Sequence, residues 1–347
     1  MLKNVILENF RNHEKYDLNL KKTTILVGPN GVGKSNILEA ISVLSSCRSF
    51  REEDKRNLVS NGKDFGRVKG DELEVFIQKN PSLLLKAKDK GVFKKRSLFI
   101  GLLKSVVFSP ETMMLATGTP RVRRRFLDMM ISQRDQQYLG ALIAYEKIRA
   151  QRNSLLQRIK ERQADEGELS FWDEGLILEG NVVIQKRQEA IDYLNEHISL
   201  IYQNISGKKE DVLSIAYQKN EDFESTVKNN HQKEIWQGCT LFGPHRDDIS
   251  ITLNGLYVAN FASRGEIRSA VLAIKIGELE FLTTDQQNLP ILLLDDVYSE
   301  FDEERREHLN AIVENYQSVI TTTDTSHLSG QLLNNAAIIE MRKNGKN

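Results

Sequence analysis

The chain has 347 residues, of which 40% are hydrophobic and 28% charged, a composition typical of a folded globular protein with a sizeable core. Its 48 Lys and Arg equal its 48 Asp and Glu, which excludes nucleic-acid binding through overall positive charge and requires local basic patches for any such binding. The two cysteines, Cys47 and Cys239, are far apart and form no CxxC, which excludes a disulfide scaffold and a structural zinc site of that type.

The N-terminal stretch MLKNVILENFRNHEK carries charges too early for a secretory signal peptide. Further along, no run approaches the roughly 18 apolar residues of a membrane span. We therefore expect a cytoplasmic protein that makes no membrane contact.

Short β-branched runs separated by turns predict strands on both sides of a helical middle region. In the first 110 residues these runs lie at 5–7, 23–27, 74–77 and 105–108. Strands are predicted again at 213–217, 249–253, 291–294 and 318–321.

From 121 to about 206, apolar residues recur at spacings of three or four, which predicts helix. A polar break at 164–170 divides this region into two long amphipathic helices, which we expect to pair as an antiparallel hairpin. The predicted fold class is therefore α/β, with a helical arm inserted into the α/β body. The body is predicted to comprise 1–110 and 208–347, with the arm at 111–207.

A glycine-rich phosphate loop follows the predicted strand at 23–27. It reads G-P-N-G-V-G-K-S, satisfies G-x-x-x-x-G-K-[ST], and precedes a helix-compatible run. In such a loop, successive backbone N–H groups point at phosphate oxygens, and the helix N-terminus adds partial positive charge. We expect Lys34 to contact the β- and γ-phosphates and the Ser35 hydroxyl to bind Mg²⁺. The predicted ATP-binding residues here are Gly28, Pro29, Asn30, Gly31, Val32, Gly33, Lys34, Ser35 and Asn36.

An acidic pair, Asp295 and Asp296, follows four aliphatic residues that are typical of a strand buried on both faces. Ligands of open α/β sheets collect where strands end, so this pair is expected beside the phosphates. Asp295 is the predicted partner of Mg²⁺. Asp296 is predicted to orient or deprotonate the attacking water, which makes Asp296 and Lys34 the predicted catalytic residues.

The phosphate loop and the acidic pair lie much farther apart than in a small kinase or GTPase, as they do in ATPase heads of the SMC and ABC types. Such heads carry a Ser-Gly signature at a helix start before the acidic strand. A signature segment of this kind, 261–268 with Ser263 and Gly265, precedes a predicted helical run at 269–282. A helix start with a hydroxyl and a glycine suits a phosphate.

The chain resembles the RecF family over essentially its full length. Members of this family are bacterial recombination mediators among the SMC/ABC-type ATPases. The resemblance implies the ABC/SMC-type P-loop ATPase head for the α/β body. It rests on the phosphate loop, the signature segment and the stretches 8–13, 47–51, 107–111, 123–128, 243–248, 292–296 and 299–302. Stretches 123–128 and 243–248 are similar to RecF and not to SMC proteins generally.

The resemblance implies an ATP-dependent homodimer with ATP between two protomers. One protomer is expected to contribute Lys34, Ser35, Asp295 and Asp296, and the other Ser263 and Gly265. The implied activity is weak ATP hydrolysis that resets a DNA clamp. The implied ligands are ATP, Mg²⁺ and DNA, double-stranded or gapped and without base specificity. The implied protein partners are RecO and RecR, and indirectly RecA, which replaces single-strand-binding protein during repair, replication restart and the SOS response.

The signature segment departs from the family pattern. The family usually has Gln-Gly-Gln-Gln-Arg after the signature serine, whereas this chain has Arg-Gly-Glu-Ile-Arg at 264–268. Arg264 would add a charge beside the partner's nucleotide.

Three other classes of protein fit the sequence less well. A P-loop kinase or ATP-fuelled nuclease has no use for the signature segment, and no further acidic cluster of the nuclease type occurs. A structural SMC-like or antiphage ATPase would have a longer arm and lack the stretch 243–248. A transporter ATPase subunit would have a compact helical subdomain in place of the arm.

Two local basic clusters interrupt the neutral charge. The first, the basic turn (86–96), surrounds Gly91 and is predicted to be a hairpin that contacts DNA phosphates without base specificity. The second comprises Arg121 and the arginines at 123–125, at the base of the arm, which could instead pair with acids of the body.

Overall fold

A computed structural model describes residues 1–219, 222–283 and 288–342 of the chain. Each of the eight runs predicted to be strands lies within an observed strand. The strands, in chain order, are β1 (Asn4–Phe10), β2 (His13–Asn19), β3 (Thr23–Val27), β4 (Phe65–Gly70), β5 (Leu73–Gln78), β6 (Leu84–Asp89), β7 (Val92–Lys94), β8 (Ser105–Phe108), β9 (Leu213–Gln218), β10 (Asp248–Leu253), β11 (Leu256–Tyr257), β12 (Ile291–Asp295), β13 (Ser318–Thr322) and β14 (Ala337–Glu340).

Helices occupy the chain between these strands, and the longest lie in the predicted arm. Within the described residues, none of them is long and apolar enough to cross a membrane. The helices are α1 (Lys34–Ser46), α2 (Arg96–Phe99), α3 (Met114–Thr117), α4 (Pro120–Ser132), α5 (Gln136–Lys160), α6 (Leu169–Ser206), α7 (Phe223–Asn229), α8 (His231–Gln237), α9 (Val258–Phe261), α10 (Arg264–Leu282), α11 (Glu303–Val313) and α12 (Gly330–Asn335).

A parallel five-stranded sheet forms the centre of the first compact unit, in the order β14-β3-β13-β12-β8. The residues of β12 and β13 are all buried, as a parallel sheet covered on both faces requires. Because β3, β13 and β12 are neighbours with the same direction, the residues after Val27, Asp295 and Thr322 lie at one edge.

An antiparallel six-stranded sheet, in the order β2-β1-β4-β5-β6-β7, completes this unit. Helix α1 packs against β1, β4 and β5 of this sheet and against β8, β12 and β13 of the parallel sheet. The helix is buried on most of its surface, and even Glu39 is 0% exposed. The first residues of α1 are thereby fixed beside the ends of the parallel strands.

The second compact unit contains α4, α5 and most of α6, together with the three-stranded sheet β11-β10-β9. The prediction of one continuous first arm helix is wrong, because the helix is interrupted at 133–135. Asp135 caps a new helix by accepting a hydrogen bond from the Tyr138 N–H at 2.9 Å. A capping carboxylate holds the chain out of helical geometry at its own position, so α4 and α5 are separate helices.

The boundaries of the compact units differ from the predicted division of the chain. The first unit comprises 1–113, 201–209 and 264–347, and the second comprises 114–200 and 210–263. Residues 210–263 of the predicted second part of the body, 208–347, therefore lie in the second unit, where β10 packs against α4 and Asn195 of α6 donates to the Ile215 carbonyl of β9. Residues 220–221, 284–287 and 343–347 of that part lie outside the described residues.

Arginines at the start of α4 form hydrogen bonds with other residues of the second unit. Arg123 donates to both carboxylate oxygens of Asp248, at 2.8 and 2.7 Å, and Arg124 donates to the Asp247 carbonyl at 2.7 Å. Arg187, 2% exposed, donates to Asp128 at 2.7 Å and to the Pro244 carbonyl at 2.6 Å. The stretches 123–128 and 243–248 thus hold each other together. For Arg123 the predicted alternative to DNA contact, pairing with an acid of the body, is confirmed, whereas Arg124 donates to a backbone carbonyl.

Candidate nucleotide site

The phosphate loop connects β3 to α1 at the edge where the parallel strands end. The Gly28 N–H donates to the Thr322 carbonyl at 3.2 Å, which joins the start of the loop to the end of β13. A Cβ at Gly28 would collide with the Met341 carbonyl oxygen. Glycine is needed at this position because the backbone after β14 passes so close.

The end of the loop is held by side chains from the β1–β2 turn. Asn12 donates to the Val32 carbonyl at 3.2 Å, and His13 Nε2 donates to the Gly33 carbonyl at 3.1 Å. Gly33 has φ +107°, and a Cβ there would lie 2.5 Å from His13 Nε2. Among the described residues no side chain caps the N-terminus of α1, which leaves its first backbone N–H groups available to a phosphate.

The side chain of Lys34 folds back and contacts the backbone of the phosphate loop. Its Nζ donates to the carbonyls of Gly28 at 2.6 Å and Pro29 at 3.0 Å, and the residue is 6% exposed. Burial lowers the pKa of Lys34, while the carboxylates of Asp296 and Asp295 raise it. The ammonium therefore already lies in the field of the acidic pair, and a phosphate would replace the two carbonyls as its acceptor.

Ser35 and Asp295 meet although they are 260 positions apart. The Ser35 hydroxyl donates to Asp295 Oδ1 at 2.6 Å, and the Thr321 hydroxyl donates to the same oxygen at 2.8 Å. A hydroxyl and a carboxylate are oxygen ligands of the kind that Mg²⁺ takes together with phosphate oxygens and water. In the part of the chain that the structure describes, no group of three or more His, Cys, Asp or Glu could hold a metal ion alone. The donor set fits a magnesium that also binds a nucleotide.

Asp296 begins the turn after β12 in a left-handed conformation, with φ 54°. Its N–H donates to the Thr321 carbonyl at 3.2 Å and to the Thr321 hydroxyl at 3.0 Å. Its Oδ1 is buried and has no hydrogen-bond partner among the described residues. Burial raises the pKa of Asp296, Lys34 lowers it, and Asp295 raises it further. A carboxylate with a free buried oxygen and a raised pKa is suited to accept a proton.

A network around Glu39 connects the loop to the stretches 8–13 and 47–51. Arg11 donates to both Glu39 oxygens, at 2.8 and 2.7 Å, and the Ser49 hydroxyl donates to the same carboxylate. Arg51 reaches Glu39 at 3.2 Å and Asn36 at 2.7 Å. The network fixes Asn36, the predicted ATP-binding residue after the loop. Beside it lies a cleft lined by Arg11, Asn12, Asn36, Arg51, Glu52, Arg56, Asn57, Val59, Asn61 and Lys79.

The signature segment leads into α10. Ser263 is exposed and directly precedes the helix, and Gly265 lies in its first turn. Arg305 donates to the Gly265 carbonyl at 3.2 Å and to the Ser269 hydroxyl at 2.9 Å, and Arg268 pairs with Glu300 at 3.1 Å. The start of α10 is thus tied to stretch 299–302 and the residues just after it.

Three residues of the site were not identified individually from the sequence. Thr321 orients both members of the acidic pair, and Asn12 and His13 hold the end of the loop. The signal for Thr321 is a hydroxyl at the end of a buried strand that neighbours the acidic strand. For Asn12 and His13 the only signal in the sequence is the family resemblance of stretch 8–13. Nothing in the local sequence indicates that the β1–β2 turn reaches the phosphate loop.

A phosphate loop, an acidic pair on a neighbouring parallel strand and a signature segment at a helix start together define an ATPase head of the ABC/SMC class. A family model described as the RecF/RecN/SMC N terminal domain matches residues 1–347. The chain is 35% identical, over 361 residues, to the DNA replication and repair protein RecF of Bacillus thuringiensis (strain Al Hakam) and to that of Bacillus cereus (strain B4264). In both comparisons 96% of this chain and 95% of the relative are covered. The chain belongs to the RecF family.

Solved structures agree with this assignment. The recombination mediator protein RecF with ATP matches with a TM-score of 0.86 at 32% identity, covering 94% of this chain and 93% of that one. The RecF-ATPrS structure gives 0.85 at 32% identity, covering 95% and 94%. An Smc head domain from Pyrococcus furiosus gives 0.54 at 16% identity, covering 98% and 94%, and shows the fold alone. The predicted fold class, an ABC/SMC-type ATPase head, is confirmed.

Proposed function

We propose that this chain is an ATP-dependent, DNA-binding recombination mediator. It binds double-stranded DNA and gap junctions as an ATP-induced dimer. With RecO and RecR it promotes loading of RecA onto gapped DNA coated with single-strand-binding protein. The observation that carries the proposal is the 2.6 Å contact between Ser35 and Asp295, because it unites the two groups that bind Mg²⁺ and nucleotide from opposite ends of the chain.

The residues of the site divide the chemistry of ATP hydrolysis among them. Lys34 leaves the Gly28 and Pro29 carbonyls to neutralise the β- and γ-phosphates. Ser35 and Asp295 would hold Mg²⁺, and the bound ion would neutralise phosphate charge. A water oxygen then bonds to the γ-phosphorus as the bond to the ADP oxygen breaks, and Asp296 accepts the proton of that water.

The proposed dimer places the signature segment of one protomer at the nucleotide of the other. Ser263 is exposed at the start of α10, as a residue that serves a second chain has to be. Arg305 and Arg268 hold that helix start against the segment that follows the acidic pair. A change at Asp296 can therefore be transmitted to the dimer contact through these arginines.

One set of measurements tests this function. We expect the wild-type protein to become a dimer and to bind gapped DNA tightly with Mg²⁺ and ATP, but not with ADP. Lys34→Arg and Ser263→Ala should lose both responses, while Ser170→Ala, an exposed serine at the start of α6, should keep them. A monomer in ATP, or DNA affinity independent of nucleotide, would contradict the proposal.

A loading assay addresses the partner proteins. Gapped DNA coated with single-strand-binding protein is incubated with RecA, RecO and RecR, and RecA filament growth is followed. The wild-type chain should accelerate filament growth with ATP, and Lys34→Arg should not. Equal growth with and without the chain would exclude a mediator role.

The basic turn is the proposed DNA contact. It is a hairpin of β6 and β7 at an edge of the antiparallel sheet, with positive φ at Lys90 and Gly91 in the turn. Lys86 and Lys88 lie over the Phe93 ring, 5.3 and 4.9 Å from its centroid. Lys94 pairs with Asp89 at 3.7 Å, a long and therefore weak ion pair. An exposed edge of this kind can approach a phosphate backbone.

Charge reversal at Lys94 and Lys95 tests this contact. Because each lost phosphate contact changes the salt dependence of binding by about 0.9 in logarithmic slope, the double variant should lower the slope by about 2. Reversal of Lys15 and Lys21, at the other edge of the same sheet, is the control with the same change in net charge. Unchanged affinity and slope in the Lys94 and Lys95 variant would refute this contact.

A further inference from the structure

Three cations of the first unit lie near Cys47, the residue that caps the end of α1, and the charges of all three act on its thiol. Arg48 follows the last residues of that helix, Lys55 lies in the turn after it, and Arg96 begins α2, two residues after β7 ends. All three side chains are half-buried. Within the described residues, none of the three side chains forms a hydrogen bond or an ion pair. We refer to Arg48, Lys55 and Arg96 as the cation cluster.

The burial of the cluster is not balanced by an anion. Arg96 Nε is fully inaccessible to water and has no acceptor among the described residues. Burial lowers the pKa of Arg96, and the charge of Arg48 lowers it further. Burial also lowers the pKa of Lys55, with Arg96 and Arg48 adding to the effect. Buried positive charge without a partner is costly, and such groups normally find a counter-ion.

The Cys47 thiol, which could become an anion beside the cluster, stays neutral. The Cys47 thiol is 0% exposed and lies in the field of all three cations. Burial raises its pKa to about 11 although Arg96, Lys55 and Arg48 each lower it. At neutral pH the Cys47 thiol is therefore uncharged and gives the cluster no counter-charge.

We propose that the cation cluster of Arg48, Lys55 and Arg96 is a second phosphate-binding site, separate from the phosphate loop, and that its occupant is a backbone phosphate of DNA. The choice of DNA follows from continuity, because Arg96 is the last residue of the basic turn. One phosphate of a DNA backbone that lies along β7 could bind to the cation cluster. The neighbouring phosphates of the same strand would then contact the exposed lysines of the basic turn. Arginine is suited to this role because its planar group donates to two phosphate oxygens at once. The choice of DNA as occupant rests on the proposed function.

Inorganic phosphate is the first probe. Thermal unfolding is followed in phosphate and in chloride at equal ionic strength for the wild type, Arg96→Gln and Arg56→Gln. Arg56 is the control because it neighbours Lys55 but is exposed and paired with Asp54 at 3.2 Å. We expect Arg96→Gln to raise the melting temperature in chloride, because it removes repulsion, and to reduce the extra stabilisation by phosphate. Any contribution of the phosphate loop is common to all three proteins.

Duplex DNA with ATP is the second probe. Arg96→Gln should lower the logarithmic salt slope of binding by about 0.9, the value for one phosphate, whereas Arg56→Gln should leave it unchanged. Lys55→Gln is a second variant should Arg96→Gln fail to fold. An equal phosphate effect in Arg96→Gln and the wild type would overturn the site. Loss of that effect with an unchanged DNA slope would overturn DNA as the occupant in favour of free phosphate. A wild-type protein that binds no DNA but shows the phosphate effect would refute the proposed function and keep the anion site.

Discussion

Asp296 is the residue at which stability and catalysis are most directly opposed. Its carboxylate has a buried oxygen without a partner and a pKa raised by burial. Because the folded chain holds this proton more tightly than the unfolded chain does, the ionised group disfavours folding above the ordinary pKa of an aspartate. The same property makes the group a better proton acceptor. The site therefore retains a carboxylate that is unfavourable for folding.

Asp296→Asn separates these two effects. The amide cannot accept the proton of the attacking water, so we expect ATP hydrolysis to fall by roughly 100- to 10,000-fold while ATP binding persists. The ATP-bound dimer should accumulate, and the nucleotide-free protein should unfold at a higher temperature. Hydrolysis, dimer mass and thermal unfolding are measured beside Asp192→Asn, an exposed carboxylate of α6. Normal hydrolysis in Asp296→Asn would refute its role.

His245 in the second unit predicts how stability responds to acid. Its Nε2 donates to the Thr240 carbonyl at 3.2 Å, so its Nδ1 accepts from the Tyr145 hydroxyl at 2.7 Å. Burial, followed by the charge of Arg149, lowers the pKa of His245 from 6.5 to about 3. In the unfolded chain His245 therefore becomes protonated below about pH 6.5. In the folded chain it stays neutral until about pH 3. Stability decreases as the pH falls through this window.

Replacing His245 should weaken that dependence. Over the window the histidine contributes about 1.4 kcal/mol per pH unit to the slope of the free energy of unfolding. We expect His245→Gln to be less stable than the wild type at pH 7 but to lose less stability between pH 6 and 4. Urea unfolding across this range provides the measurement, with the exposed His327→Gln as control. Equal slopes in His245→Gln and the wild type would contradict the assignment.

Among the elements, α6 shows how a residue that weakens a helix can be required by its packing. Gly180 lies inside this helix, and Phe223 and Tyr145 pack against it. A Cβ at Gly180 would lie 2.5 Å from Cε1 of Phe223 and 3.3 Å from Cε2 of Tyr145. Contacts as short as the first force the ring or the helix to move. The glycine is therefore a packing position for α7 against the arm helices.

Gly180→Ala should therefore destabilise the chain although alanine favours helix. We expect overpacking to cost about 1–3 kcal/mol, which exceeds the gain of up to about 1 kcal/mol in helix propensity. Gly140→Ala in α5 is the matched control, because a Cβ there meets nothing within 4 Å. That variant should gain stability. The free energy of unfolding, measured in urea, distinguishes Gly180→Ala from Gly140→Ala. If both substitutions stabilise the chain, the Phe223 ring moves aside at no cost and the prediction is wrong.

The elements also show why parts of the structure were predictable. The strands at 23–27 and 291–294 follow from apolar runs, and the site follows from them because parallel strands end at one edge. Local periodicity does not reveal the break at Asp135, where one capping carboxylate outweighs a continuing apolar pattern. Nor does it assign 210–263 to the second unit, because that depends on β10 packing against α4 and on Asn195 of α6 donating to the Ile215 carbonyl of β9. Asn12 and His13 are missed for the same reason.

At the scale of the whole molecule, the proposed dimer divides each ATP site between two chains. Lys34 and the acidic pair belong to one protomer, and Ser263 belongs to the other. A twofold arrangement of this kind contains two equivalent sites. A protomer that lacks Lys34 still offers a normal signature segment, and a protomer that lacks Ser263 still offers a normal phosphate loop.

Mixing two inactive variants therefore should restore hydrolysis. A heterodimer of Lys34→Arg and Ser263→Ala combines both defects in one site and leaves the other site intact. Because neither variant alone is expected to dimerise with ATP, the dimers in an equal mixture are mixed and contain one intact site of two, so up to about half of the wild-type activity should return when the sites act independently. The ATPase rate is measured against the mixing ratio, with each variant alone as its baseline. A mixture no more active than its components would show that Lys34 and Ser263 act within one chain, because only sites shared between protomers can complement each other.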